Sequence, residues 1–334
     1  MNTTKPKDSP EKSIVAAVVF YGICGLLFPI LVAGYVLWIG KLFSGRKSGV
    51  SGTAQGPLSA RWLQHQLGVR QDAAAHRLLM SLPGVSPLAV KMVFGPILFA
   101  NRLSGYVPPT FRYPFEGKVT LQNQASARQT FYDSTVEQYL SEITQLVILG
   151  AGFDTRSLRL PSGAKVRAFE VDSANTLAIK REAMHKAGID TSQVALLDAD
   201  FEKQDWLHRL QSAGFDTTQP TLFLWEGVTP YLHKSAVEDT LRKIAGCGKG
   251  SRVAFDYFSS EILESPALHL KLLRASLNAG NEPLKFGIDS TPPFHDRVAE
   301  LLDLCGLRLE KQFTLGQEGP EERALGGFAI AAVA

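Results

Sequence analysis

Residues 145–160, QLVILGAGFDTRSLRL, constrain the fold of this chain more than any other stretch. Four apolar residues, Leu146 to Leu149, run without a break into Gly150-Ala151-Gly152, and Asp154, Thr155 and Arg156 then open a predicted helix. A short unbroken apolar run with that ending reads as a parallel strand buried on both faces, its carboxyl end turned toward a ligand. Gly150 and Gly152 suit the turn because neither carries a Cβ to block a positive φ or the close approach of a bound molecule. Twenty residues beyond Gly152 a second strand, KVRAFEVD, ends in Asp172, whose carboxylate can accept from two ribose hydroxyls.

Two cofactors fit this arrangement. A dinucleotide wants G-x-G-x-x-G, and Thr155 stands where the third glycine belongs. S-adenosylmethionine has no pyrophosphate and depends less on a helix amino terminus. The glycine turn alone leaves both open.

The downstream pattern separates them. Strands are predicted at 145–150, 166–171, 193–198, 221–226 and 252–257, with helical patterns at 174–187, 203–213 and 235–246 between them. Such alternation builds a doubly wound α/β sheet with right-handed crossovers. After helices near 260–279 and 294–305, two apolar strands, near 307–314 and 326–333, follow each other with only GQEGPEER as a loop, which predicts a terminal antiparallel hairpin. A seven-stranded sheet ending this way is typical of class I methyltransferases and favours the methyl donor over a nicotinamide. Acids stop three successive strands, Asp172, Asp200 and Glu226. The carboxyl edge of an open α/β sheet is where ligands bind, and a sulfonium nucleoside offers hydroxyls, an amino group and positive charge to such acceptors. Phe201, next to Asp200, adds an apolar surface for the adenine ring.

The blocks LGAGFDTRSLRL, FEVDSANTLAIKREAM, DADF and WEGVTPYL, in this order and spacing, resemble the leucine carboxyl methyltransferase family over residues 122–258. The resemblance implies that Arg128, on a predicted helix at 122–141, meets the carboxylate of S-adenosyl-L-methionine. It places Gly150 against the methionine part, Asp172 on the ribose, Asp200 and Phe201 near adenine, and Glu226 and Tyr231 at the site, Tyr231 facing the methyl acceptor. Asp200-Phe201 departs from the family's DL pair. Asp154, Thr155 and Arg156 match the family's DTR and either brace the glycine loop or touch the ligand. No catalytic histidine stands in these blocks. His233, just past Tyr231, reads as a surface or helix-cap residue.

Before this region lies Ile14 to Gly40, 27 positions without a charge. Such a run is long enough for a transmembrane helix with tilt, too long for a signal-peptide core, and carries Tyr35 and Trp38 near one end as interfacial anchors. Residues 1–13 form a polar start and 41–57 a glycine- and serine-rich linker. Residues 58–120 are a helical cap or substrate region, and 121–334 the methyltransferase domain. Lys and Arg are nearly tied across the span, with Arg61 and Arg70 tipping the carboxyl side toward the cytoplasm. Leu88 to Ala100 is apolar but too short to span; it either covers the catalytic core, which is the favoured reading, or rests on the membrane surface. The segment 105–117, GYVPPTFRYPFEG, reads as a structural connection that has the composition of a lid.

A net charge of +3 supplies no nucleic-acid footprint. Cys24, Cys247 and Cys305 are too far apart to form a disulfide or zinc framework. The expectation is a membrane-anchored O-methyltransferase acting on a small-molecule, lipid or protein acceptor, most simply a carboxylate. Hydroxyl methylation of a lipid or specialised metabolite and a non-catalytic membrane scaffold are the alternatives.

Overall fold

A computed structural model of the chain describes residues 10–45, 52–161, 163–279, 282–316 and 323–333. Five helices come first: α1 (Pro10–Leu26), α2 (Phe28–Gly45), α3 (Gly52–Gln66), α4 (Ala73–Ser81) and α5 (Pro87–Ser104). Then α6 (Gln124–Tyr139) leads into β1 (Gln145–Leu149), β2 (Arg167–Asp172), α7 (Ala174–Lys186), β3 (Val194–Asp198), α8 (Trp206–Ser212), β4 (Thr221–Trp225), α9 (Lys234–Ala245) and β5 (Arg252–Phe258). The chain continues through α10 (Ser260–Glu264), α11 (Leu268–Ala279), α12 (Phe294–Leu304), β6 (Leu307–Leu315) and β7 (Gly326–Val333).

The sheet has the order β3-β2-β1-β4-β5-β7-β6. β1 to β5 are parallel, and β7 runs antiparallel to both β5 and β6. This is the seven-stranded α/β sheet with a terminal hairpin that the alternation predicts. β1 and β4 are buried at every residue, as their unbroken apolar runs require. On one face Phe169, Trp206, Phe223, Leu241 and Phe255 form the core, and on the other Phe131, Tyr132, Ile148, Leu224 and Phe328. The winding reverses between β1 and β4, whose partners end at Ile148 and Leu224. That reversal opens the crevice where ligands of such sheets sit.

Three expectations need correction. First, Asp154, Thr155 and Arg156 do not open a long helix. Only a 3-10 turn, Ser157–Arg159, lies between the glycine turn and β2, and the side chains of Asp154, Thr155 and Arg156 are buried. Pro161 then interrupts any helical continuation. The apolar surface a crossover helix would cover is taken by the amino-terminal helices instead, since Phe153 and Leu158 pack with Leu58, Leu63 and Leu79.

Second, 14–40 is not one transmembrane helix. Among the described residues no single helix is long and apolar enough to cross a bilayer, and Ser13–Leu26 and Phe28–Lys41 form a pair bent by 60°. Pro29 is the cause: it has no N–H for the carbonyl of Gly25, and its ring clashes with that turn, so the helix restarts around Leu27. Third, the linker is helical from Gly52 onward, while 46–51 lie outside the described residues.

α5 packs along both α1 and α2. A Cβ on Gly34 would lie 2.5 Å from Met92 Cβ, so the two backbones touch there. Trp38 and Trp62 meet Phe94 edge-on or tilted, joining α2 and α3 to α5. The 105–117 segment is a connection pinned to α6: Tyr113 Oη donates to Asp133, and Phe115 N donates to Thr130.

Candidate active site

β1, β2, β3 and β4 bring their carboxyl ends to one cavity of about 550 Å³. Arg128, Gly150, Gly152, Asp172, Asp200, Phe201, Glu226 and Tyr231 all line it. These positions come from five separate segments of sequence, and the tertiary fold assembles them.

The glycine turn is built from its backbone. Gly150 and Ala151 both donate their N–H to the carbonyl of Val171, which ties the turn to the end of β2. Gly150 has φ +66 and Gly152 φ +46, both in the left-handed region. A Cβ at Gly150 would stand 2.2 Å from Val228 Cγ2, so only glycine lets the first turn approach the loop after β4. Asp172 accepts from Gly152 N at 2.6 Å and from its own neighbour, Ser173 N, at 2.6 Å. Two fixed backbone donors therefore orient a half-exposed carboxylate over the cavity and leave it acceptor capacity. Asp200 accepts from Glu202 N at 2.9 Å and lies 3.2 Å from Lys203, at the exposed rim.

Glu226 differs from the other two acids. Its carboxylate is 8% exposed and meets Arg61 at 2.9 Å, Arg156 at 2.5 Å and Arg128 at 3.3 Å. Burial alone lifts this carboxyl, but Arg156, Arg61 and Arg128 outweigh it and hold it below the usual carboxylate range. Arg156 also pairs with Asp154 and Asp133, and Arg70 and Arg159 pair with Asp72 and Asp133. Arg128 spans Glu226 and Asp256. The arginines and acids of this buried cluster balance five to five, as charges withdrawn from water must. The expectation that Glu226 is a cofactor ligand is narrowed accordingly: it faces the cavity, but its charge is already matched. Asp154, Thr155 and Arg156 brace the loop, with Thr155 Oγ1 donating to Asp72 at 2.7 Å.

Two wall residues were missed from the sequence. Asp256, on β5, accepts from Gly227 N at 2.6 Å and from Tyr132 Oη at 3.2 Å, and burial pushes its carboxyl up against the opposing pull of Arg128. It obeys the same rule of acids toward strand ends that singled out Asp172, Asp200 and Glu226. Arg61, on α3, is 2% exposed and pairs with Asp154 and Glu226. Its signal was a cation between buried Leu58, Trp62 and Leu63, and such a position demands an acid from elsewhere. For the same reason Arg61 and Arg70 carry no weight in a membrane orientation argument. Tyr231 is partly buried, and desolvation together with Glu282 pushes its hydroxyl up to about 12. His233 is exposed at the amino-terminal cap of α9 and does not line the cavity.

The wall fits an adenosyl sulfonium amino acid. The volume suits a ligand of that size. Asp172 lines the cavity with a carboxylate that two backbone N–H groups orient and that keeps acceptor capacity for ribose hydroxyls, and the Arg128–Glu226 pair lines the same cavity.

A model of the leucine carboxyl methyltransferase family matches residues 114–245. A Mycolicibacterium smegmatis protein named "Putative S-adenosyl-L-methionine-dependent methyltransferase" is 32% identical over 176 residues, covering 50% of this chain and 52% of that protein. One of the same name from Mycobacteroides abscessus is 38% identical over 113 residues, covering 34% of this chain and 37% of that protein. The chain thus spans about half or less of the length of these curated relatives. Among solved structures, a DUF574 family protein from Streptomyces avermitilis aligns with TM-score 0.46 and 15% identity over 83% of this chain and 97% of that one, a likeness too low to bear on the reaction. Glycine turn, strand-end acids and family match coincide in one segment, residues 114–245, which is similar to the leucine carboxyl methyltransferase family.

Proposed function

We propose that this protein is an S-adenosyl-L-methionine-dependent O-methyltransferase held at a membrane through residues 14–40, its catalytic domain on the cytoplasmic side because the methyl donor is supplied there. The observation that carries the methyltransferase reading is the convergence of all eight sequence-selected residues on one cavity at the switch point of the sheet. Bound there, S-adenosyl-L-methionine supplies an electrophilic methyl group on a sulfonium. Asp172 accepts from the ribose hydroxyls, Asp200 and Phe201 take the adenine, and Arg128 takes the amino-acid carboxylate. The backbone at Gly150 and Gly152 admits the methionine part without a clash. The half-buried walls exclude water and hold the acceptor in line, and alignment of that kind accounts for much of a displacement reaction's acceleration.

The acceptor in this reading is a carboxylate, which needs no base. Tyr231, with its hydroxyl pushed up to about 12, is a neutral donor at physiological pH and orients the acceptor instead of deprotonating it. His233 is exposed and does not line the cavity. One observation favours a second reading, an alcohol or phenol acceptor: seven acids but only Arg61 and Arg128 line the cavity, and both arginines are already paired. Asp256, raised by burial, would then take the proton.

Titration of the full-length protein with S-adenosyl-L-methionine tests the cofactor. Saturable binding that Asp172→Ala weakens by about 100-fold supports it, and no saturable binding refutes it. Incubation with methyl-labelled donor and a membrane extract then separates the acceptors: a methyl ester releases its label in mild base, whereas an ether does not. Loss of turnover in Asp256→Asn with donor binding intact would select the hydroxyl. Donor binding without turnover on any acceptor class would leave a scaffold.

A further inference from the structure

The amino-terminal helices differ from the rest of the chain in charge as well as in polarity. Residues 13–115 contain nine lysines and arginines and a single acid, Asp72, whereas residues 116–334 contain 23 basic and 29 acidic residues. The near-neutral total hides this asymmetry. Asp72 is itself buried against Arg70 and Arg159, so the described surface of this region presents no carboxylate.

Apolar side chains cover much of that surface. Ile14, Val18, Leu26, Phe28 and Val36, on α1 and α2, are 58–80% exposed. α5 extends the surface: Leu88, Phe99 and Leu103 are 50–61% exposed, while Ala89, Val90, Pro96 and Ala100 face inward. At about 100° per residue the three exposed apolar residues fall in one stripe roughly 60° wide, and Lys91 and Arg102, both exposed, lie along its flank. An apolar stripe edged by cations matches the boundary between acyl chains and anionic headgroups, where long basic side chains reach outward and anchor the helix.

The same geometry argues against a crossing. α1 and α2 have 17 and 18 residues, and a 60° bend separates them. Each alone is about 26 Å long and falls short of the roughly 30 Å hydrocarbon core. Both arms rest on α5, so a bilayer around them would also surround Lys91 and Arg102, and charges at that depth are costly.

We propose that α1, α2 and α5 form a platform that lies in the headgroup plane of an anionic lipid bilayer and inserts its apolar face from one side. This inference rests on the membrane attachment proposed above and replaces a crossing with an in-plane mode. For residues 88–100 it takes the membrane-surface alternative in place of the favoured role of covering the core.

Two measurements on the full-length protein test it. In the first, Ser13→Cys and Lys41→Cys, each combined with Cys24→Ser, are labelled with a membrane-impermeant maleimide in sealed membrane vesicles and again after detergent opening. The in-plane platform labels both positions alike in sealed vesicles. Labelling of one end only after opening means a crossing and overturns the inference while leaving membrane attachment intact. In the second, flotation compares phosphatidylcholine vesicles with and without phosphatidylserine. The anionic vesicles should bind more strongly, and Lys91→Glu with Arg102→Glu should weaken that binding by at least about tenfold. S-adenosyl-L-methionine binding should be unchanged in this variant, since neither residue lines the cavity. Equal flotation on both vesicle types overturns the anionic-lipid preference, and flotation on neither overturns membrane attachment as well. Methyl-donor binding is a separate readout, so failure of the platform and failure of the methyltransferase reading are distinguishable.

Discussion

Asp172 and Glu226 stand at the ends of neighbouring parts of the same sheet, line the same cavity and are treated oppositely by the fold. Asp172 is held by two backbone N–H groups that orient its carboxylate without neutralising it, and it remains open to a ligand. Glu226 is 8% exposed and enclosed by three arginines, which stabilise its charge and use its acceptor capacity. An acid at a strand end thus keeps acceptor capacity for a ligand when backbone donors hold it and becomes a structural counter-ion when arginines do. Asp200 belongs with Asp172, while Asp154 belongs with Glu226.

The sharpest way to break that comparison is Arg156→Ala. It leaves Asp133, Asp154 and Glu226 without their shared partner, and an uncompensated buried charge costs about 3–5 kcal/mol. The expected result is a large fall in thermal stability by circular dichroism. Asp172→Ala should act on binding instead. Loss of charge-assisted hydrogen bonds to two hydroxyls, about 3 kcal/mol in all, weakens donor affinity by about 100-fold in calorimetric titration, with a smaller change in Tm than Arg156→Ala causes. If Asp172→Ala unfolds the protein as readily as Arg156→Ala, the distinction between the two kinds of acid is wrong.

Gly150→Ala tests the backbone side of the site. The left-handed φ and the overlap with Val228 Cγ2 together cost about 2–3 kcal/mol, and adding Val228→Ala should recover the steric part but not the backbone part. Denaturant unfolding of the single and double variants measures both. Acid should report the ion cluster. Asp133, Asp154 and Glu226 are held below their unfolded values by their arginines, despite burial that acts in the opposite direction. Their contribution is therefore complete above an unfolded pKa of about 4 and is lost as pH falls through the folded values. Melting temperature should hold between neutral pH and about 5 and fall steeply below about 4. Asp200→Asn, at the rim, should change donor affinity by less than about tenfold and leave Tm unaltered, because its side chain is 42% exposed and its salt bridge with Lys203 is solvated.

Much of this was legible in the sequence, because β1 to β5 depend on local pattern. Unbroken apolar runs mark strands buried on both faces, and the glycines mark the one place where backbone must turn without a side chain. The site residues were readable for the same reason: the carboxyl edge of a parallel sheet collects whatever follows each strand. Asp256 was missed although it obeys that rule, since its position inside FDYF reads as strand interior. The predicted helix at 154–156 failed because helical propensity there yields to buried ion pairs. The continuous span at 14–40 failed because composition records apolar length but not the axis broken at Pro29.

By itself the sequence determined the order of strands and helices, the glycine turn and the acids available to a nucleoside, since each follows from periodicity or from the absence of a side chain. The tertiary structure decided which charges meet. Arg61 reaches Asp154 across 93 residues and Glu226 across 165. No local pattern encodes such a pairing, because its energy arises only when folding removes both charges from water and brings them within a few ångströms of each other.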